Sequence, residues 1–449
     1  MTREGPDFGY YPNPSKTWLV TKEGNQDVAL STFAGTGVNV TSNGRPYLGA
    51  AIGSAEFVES FVESKVSSWL SNVGNLTSIA ETQPHAAYSA LTHGLSSKWT
   101  YICRTIPNIS NLLKPLDNAL RTKLIPALTR KSPPSDLEWA LFALPARLGG
   151  LGITIPSQQA NQAHLSSQLI TSALQDGIKL QDDTYGYEVI AKQLESKVTV
   201  KNINREKSAM AAHDLIQRLP DNLQRSVKLA SEKGSSTWLT VLPLSEHGFA
   251  LHKGAFHDAL ALRYGWIPDR LPSKCACGAS FSVEHALSCA KGGFPSIRHN
   301  EIRDLTATLL TEVCHDVCIE PELQPVTSEV LTGSTANSQT GARLDIAANG
   351  VWGGTFERTY FDVRVFNPHA PSNRCSNIQS VYRKHEQIKK RAYEQRIREV
   401  EHASFSPLVL SATGGLAREA NTFYKRLASM LATKWDHAYS TTLAGYVAA

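Results

Sequence analysis

The sequence predicts an α+β protein assembled from several packed units, and three observations carry that expectation. At 449 residues the chain exceeds what one hydrophobic core ordinarily organises, so two or three units are expected. Its first fifty residues alternate short apolar runs with turn-forming Asn, Gly and Pro, and the stretch from there to about residue 235 is dominated by helical spacing. Beyond residue 297, helix and strand signals are interleaved in the manner of a mixed α/β unit.

Within the first unit, PNPSK reads as a turn, TWLVT as a strand, and NGRPYLGAAIG as a turn leading into another strand. Val58, Phe61, Val62, Val66, Trp69 and Leu70 then fall at helical spacing, and further helices follow to about residue 130, with Pro115 interrupting one. LPARLGGLGITIP, residues 144–156, carries two glycine-bearing turns closed by proline and suits a bend between units. A polar, largely helical connector runs on to about residue 235, with LQDDTYG inside it reading as a solvated turn. Residues 297–318 have the periodicity of one amphipathic helix. Two strands around ARLDIAA and TYFDVRVF follow, separated by ANGVWGG. A basic helix, a strand at SPLVLSA and a helix over about 415–434 complete the unit.

Composition bounds the function. An apolar fraction of 41% and a charged fraction of 19% describe a globular protein and exclude collagen, coiled coil and low-complexity classes. No run approaches the roughly 18 apolar residues of a membrane span, and MTREGPDFGYYPNPSK offers no signal peptide, so an intracellular protein without a membrane partner is expected. The net charge of +5 fits a polyanionic partner but is shared by many enzymes. Position is more informative: residues 381–398 hold seven Lys or Arg against two Glu, where a phosphate backbone would be sought. Seven cysteines, an odd number, argue against a disulfide framework in a reducing compartment and for thiolate ligands or core packing.

Four of the candidate ligands fall in one window, CACGASFSVEHALSC. Cys275, Cys277, His285 and Cys289 form C-x-C-x7-H-x3-C, which a tight turn at Gly278 and a following helix would bring to one tetrahedral Zn2+ ion. A reduced cysteine pair beside a surface histidine is the other reading. So small a segment has little core and would gain most of its order from metal. With four protein ligands the ion has no open position, so its expected role is structural and the chemistry lies elsewhere. Cys314 and Cys318, flanking His315, are read as packing residues, with a second metal site as the alternative.

Asp345 and Asp362 come from successive predicted strands, and Arg364 alternates to the same face as Asp362. Two strand carboxylates in that relation can hold Mg2+ beside a scissile phosphate, although strand and turn positions also collect carboxylates for no catalytic reason.

The order CACG, EHALSC, GGFPSIRHNEIRD, ARLDI, FDVRVFNP and YRKHEQIKKRAYEQR resembles the carboxy-terminal part of non-LTR retrotransposon proteins that carry a zinc knuckle and a restriction-enzyme-like endonuclease. GYYPNPSKTWLV and GRPYLGA resemble the last palm motifs of that family's reverse transcriptase, and LPARLGGLGI the segment beyond its thumb. The resemblance implies a palm remnant at 1–55, a helical thumb-like region at 56–156, a helical connector at 157–260, a zinc knuckle at 261–296 and a PD-(D/E)xK-like nuclease domain at 297–449. It implies Asp345 and Asp362 as Mg2+ ligands, with Arg364 where the pattern has lysine and Leu344 where it has proline. Arginine stays protonated and can orient water or steady a phosphate but not remove a proton. Lys384, Lys389 or Lys390 would then supply the amine, and Asp304 or Glu320 a further acid. Arg298 and His299 occupy the family's basic pair near the nuclease entrance, a solvated helix start being the alternative. Nucleic-acid contacts are expected from Arg298, His299, Arg383, Lys384, Lys389, Lys390 and Arg391.

The aromatic-x-Asp-Asp turn of a polymerase would precede the first residue, Asp182 and Asp183 are no substitute, and Lys16 has no nucleotide to act on, so polymerase activity is not expected. The leading expectation is a Mg2+-dependent DNA endonuclease derived from a truncated retrotransposon protein, with DNA and element RNA as partners and the nucleus as its place of action. A non-catalytic nucleic-acid-binding remnant is the second, and a scaffold unrelated to nucleic acid the third.

Overall fold

The computed structural model describes residues 4–9, 11, 13–180, 187–245, 248–332 and 337–443; Asp182 and Asp183 lie outside them. The protein is mixed α and β, rich in helix, with small sheets. Its contacts divide it into two units, residues 1–143 with 152–211, and residues 144–151 with 212–449.

In the first unit, β1 (Trp18–Val20) pairs parallel with β2 (Asn39–Thr41), and β3 (Gly44–Tyr47) pairs antiparallel with β4 (Ala50–Gly53). Gly44 and Gly53 face each other in that hairpin, and a Cβ on Gly53 would sit 2.3 Å from the Gly44 Cα, so both positions need glycine. Between β1 and β2 the structure adds a short helix, Gln26–Thr32, whose single buried residue, Ala29, left little periodic signal. Ser54 caps α1 (Ala55–Ala80) by accepting the Phe57 amide at 3.2 Å. Val62, Val66, Trp69, Val73, Leu76 and Ala80 form one buried stripe along it at alternating spacings of four and three. The polar connector is two long helices, α2 (Pro156–Leu180) and α3 (Tyr187–Gln217).

The second unit starts from α4 (Asp221–Ala230) and α5 (Lys253–Tyr264), which capture the LPARLGG segment. The buried Arg263 guanidinium donates to the Ala146 and Gly150 carbonyls at 2.8 and 2.9 Å, and the Tyr264 hydroxyl to Gly149 at 3.1 Å. After the cysteine window come α6 (Phe294–Thr311), β5 (His315–Ile319), β6 (Ile346–Asn349), β7 (Arg358–Phe366), α7 (Ile378–Glu399), β8 (Ser404–Ser411) and α8 (Arg418–Trp435). The sheet order is β5-β6-β7-β8, antiparallel except for the parallel β7–β8 pair, whose crossover is α7. Alternation along β7 sends Phe361 and Val363 into a core with Leu310, Leu408, Phe423 and Leu427, and sends Tyr360 and Phe366 toward α7.

The helix expected over 297–318 stops at Thr311, and residues 315–319 are instead the edge strand β5. The buried Cys314 belongs to the core under the sheet and Cys318 is exposed on the strand, so the two do not lie one helical turn apart. Tertiary pairing with β6 overrides the helical periodicity there, with an irregularity in register between His315 and Cys318.

One ionisable group ties the segment after α4 to α7. The Tyr382 hydroxyl donates to Glu232 Oε2 at 2.8 Å, and burial pushes the Glu232 carboxyl up to about 7 from 4.5. The native chain therefore holds a proton that the unfolded chain releases at lower pH. The stabilisation from the neutral carboxyl is complete below about pH 4.5 and is lost as pH rises through about 7. Glu232→Gln keeps the acceptor and removes the titration, so its melting temperature should fall less than that of the parent between pH 5 and 8, by a few degrees. Superimposable pH profiles in thermal melts would contradict this assignment.

Candidate functional site

The cysteine window folds as a hairpin followed by one turn of helix. Gly278, at φ +87°, makes the hairpin turn and donates its amide to the Cys275 carbonyl at 2.8 Å. Ser282 caps the short helix Val283–Ala286 through the His285 amide at 3.1 Å, and the Cys289 amide returns to the His285 carbonyl at 2.9 Å. These local bonds put His285 and Cys289 on one side, facing the hairpin. One ligand atom from each of Cys275, Cys277, His285 and Cys289 lies within 4.8 Å of all the others. Cys275 and Cys289 sulfurs are 3.8 Å apart, and Cys277 Sγ lies 3.2 Å from His285 Nε2. Two sulfurs each ~2.3 Å from a tetrahedral zinc ion would be separated by about 3.8 Å. The Gly292 amide beside Cys289 holds its thiol below the ordinary value. The Cys277 amide acts on Cys275 in the same sense, but there burial and the neighbouring thiols prevail and push it up. The four residues could hold a metal such as zinc with no ligand position left over.

The second site is built on the β6–β7 ladder. Its register pairs Ile346 with Phe361, and one step further sets Asp345, just before β6, opposite Asp362 in β7. The Asp345 amide donates to the Phe361 carbonyl at 3.1 Å, and Asp345 Oδ2 accepts the Val363 amide. The two carboxyls interact directly with one another. Each also has its own basic partner: His299 Nε2 of α6 is 3.1 Å from Asp345 Oδ1, and Lys389 Nζ of α7 is 2.5 Å from Asp362 Oδ2.

These surroundings separate the two acids. Burial opposes ionisation of Asp345, but the His299 bond and charge, with the Val363 amide, outweigh it and hold the carboxyl below its usual range. Burial pushes Asp362 up to about 6 despite the Lys389 charge, and the neighbouring Asp345 adds to the rise. The Asp345 bond raises His299, which therefore favours its charged form.

Further cations crowd the same face. Arg298 is half-buried, donates to the Val365 carbonyl at 3.4 Å, and has its Nε and one terminal nitrogen buried without a partner. The exposed Arg364 bears on both Arg298 and His385. His385 stacks on Phe366 at 4.7 Å, and burial, then Arg364, Lys384 and Lys389, push it down to about 4, so it is neutral at pH 7. Nothing in the sequence pattern had marked His385.

The basic helix is less uniformly available than its composition suggests. Arg383, Lys384 and Arg391 are exposed, whereas Lys389 turns to Asp362 and Lys390 to Glu419 at 2.7 Å. Arg396 is buried and donates to the carbonyls of Gln324, Asn337 and Gln339 at 2.7 to 3.1 Å, so it is a structural tie and cannot meet a phosphate. The two further acids are also engaged: Arg303 holds Asp304 at 2.8 Å and Glu320 at 2.5 Å, although the Glu320 amide donates to the Asp345 carbonyl. Lys16 belongs to the other unit, in a single exposed 3-10 turn. Among the described residues, Cys314, His315 and Cys318 form no metal cluster.

No family model matches the chain, and no curated protein matches it significantly. No helix among the described residues is long and apolar enough to cross a membrane.

Purified chain is expected to carry about one tightly held divalent ion in the cysteine window. Cys277→Ser and Cys289→Ser should each lose most of it in elemental analysis. Undiminished metal in both variants would remove the site.

Proposed function

We propose that the chain is a metal-dependent DNA endonuclease that nicks duplex DNA. The observation that carries this reading is the opposition of Asp345 and Asp362 across one antiparallel ladder, with the Lys389 ammonium on Asp362. The motif order resembling the non-LTR retrotransposon endonucleases supports the same reading, with Zn2+ in the cysteine window as a structural ion. DNA, and element RNA in the parent family's manner, would be the partners, and the nucleus the place of action.

The carboxyls fit a divalent cation because they oppose one another in one largely buried space, where burial keeps Asp362 hard to ionise even beside Lys389. When bound, Mg2+ would supply charge stabilisation for the phosphoryl oxygens and a lowered pKa for the attacking water. The chain's own residues supply the rest. Asp345, kept ionised by His299 and the Val363 amide, is the fixed ligand. Lys389 is the residue among the three candidate lysines that reaches Asp362; as an ammonium it would donate to the leaving 3′ oxygen, a role closed to Arg364, which does not part with its proton. Arg298 and Arg364, near enough for their charges to repel, would put guanidinium charge beside the phosphate. Water would attack phosphorus and release a proton to solvent as the P–O3′ bond breaks, and the 3′ oxygen would take a proton from the Lys389 ammonium, which solvent then restores.

A specific observation favours a second reading, a nucleic-acid-binding remnant without turnover: both carboxyls are already matched by internal cations, and the lysine position of the pattern is Arg364. The two readings separate in a nicking assay on supercoiled DNA with and without Mg2+. The endonuclease reading expects nicking that Asp345→Ala and Asp362→Ala each abolish. Lys389→Ala should slow it about 10²–10⁴-fold, a loss that Lys389→Arg does not restore if proton transfer is its role. Nicking by both aspartate variants at the parental rate would refute the site, and salt-sensitive binding with no nicking would select the remnant.

DNA binding should weaken as salt rises, and each of Arg383→Ala, Lys384→Ala and Arg391→Ala should reduce the slope of log K against log salt by about one. An unchanged slope in all three would place the DNA elsewhere.

A further inference from the structure

The side chain of Asn367 uses its hydrogen-bonding groups across a boundary. Asn367 directly follows β7, the strand that carries Asp362, and is buried. Its Nδ2 donates to the Ser288 hydroxyl at 2.8 Å and to the Glu284 carbonyl at 3.2 Å, both inside the cysteine window and beside the ligands His285 and Cys289. Its Oδ1 accepts the His369 amide at 2.9 Å, and its carbonyl accepts Asn373 Nδ2 at 2.9 Å, which closes residues 367–373 into a loop. Arg225 of α4 holds the far side of that loop through the Pro368 and Arg374 carbonyls, both at 2.5 Å.

A cleft of about 370 Å³ opens between Glu284, Ser288 and Cys289 on one side and His369 and Pro371 on the other. Among the described residues, both side-chain hydrogen bonds across the gap come from the Asn367 amide group, with the Glu284 charge acting on His369 beside them. The 282–288 segment has local hydrogen bonds but a single buried apolar residue, Ala286, so joining its ligands through a metal would add to what holds the Glu284 carbonyl and the Ser288 hydroxyl in place.

We propose that Asn367 is a positioning residue that couples metal occupancy of the cysteine window to the end of the strand bearing Asp362. The coupling rests on the metal reading of Cys275, Cys277, His285 and Cys289, and is independent of whether the chain cuts DNA. With zinc in place, Glu284 and Ser288 hold the amide and the 367–374 loop is fixed; without it, the loop and the last residues of β7 loosen. Coupling is reciprocal, so loss of Asn367 should also weaken zinc affinity. Two hydrogen bonds of ordinary net strength, if both are lost, correspond to roughly five- to 150-fold in that affinity.

Amide hydrogen exchange on the full chain tests this without any activity assay. The reporters are Asn373 and Arg374, whose amides bond to the Ala370 carbonyl, and Ala412, whose amide bonds to the Phe366 carbonyl at 2.8 Å. Removing zinc from the parental chain with a chelator should lower protection at these amides about tenfold. In Asn367→Ala the protection should already be low and should not change on chelation, while elemental analysis still finds the metal when zinc is in excess. Ser288→Ala, which removes one acceptor at an exposed position, should show an intermediate loss and guards against misfolding of the first variant. An equal chelation response in the parent and both variants, or none in the parent, would overturn the coupling. A metal-free parental chain would instead remove the zinc reading on which it rests.

Discussion

The second unit is organised around one strand register. Pairing Ile346 with Phe361 brings Asp345 against Asp362, and two desolvated carboxyls so placed cannot both ionise unaided. The compensation defines the neighbourhood: α6 contributes His299, α7 contributes Lys389, and β7 contributes the Val363 amide. A slip of one residue would turn both acids to opposite faces and leave His299 and Lys389 without partners. The apolar residues on the two sides of β7 prevent that slip, since Phe361 and Val363 would have to exchange places with Tyr360 and Asp362.

The same neighbourhood explains why the two acids differ. Asp345 has a hydrogen-bonding cation and an amide, and lies below its usual range. Asp362 is the more deeply buried, and its lysine offsets only part of the desolvation. Paired acids whose surroundings push them apart are a recurrent property of functional sites, and structural ion pairs produce it too. What sets this pair apart is the excess of cations around it. Arg298 retains buried nitrogens without a hydrogen-bond partner, and Arg364 is open to solvent.

Legibility in the sequence followed the range of the interactions. The cysteine window was readable because its geometry is local: Gly278, Ser282 and the one-turn spacing of His285 and Cys289 settle it within fifteen residues. The strands around Asp345 and Asp362 were readable from alternation, but their mutual register was not, because it is set by a core that draws on α6 and α8. Lys389 was one of three lysines on α7, and only the packing of that helix decides which one points at the sheet. The same phase turns Arg396, one of the seven basic residues among which a phosphate backbone was sought, inward to three carbonyls. Helical periodicity ran past Thr311 because Cys314 is apolar and in phase, although the chain there is already an edge strand. Asn367 and His385 had no local signature, since their partners lie far away in sequence or on a neighbouring element.

The claim from which the rest follows is that Asp345 and Asp362 can share one divalent cation. Crystals soaked in Mn2+ and measured for anomalous scattering test it directly. A single peak roughly 2.0–2.4 Å from one carboxylate oxygen of each residue, with Lys389 displaced from Asp362, is the expected result. Full occupancy of Mn2+ elsewhere with both carboxyls still paired to His299 and Lys389 would contradict it.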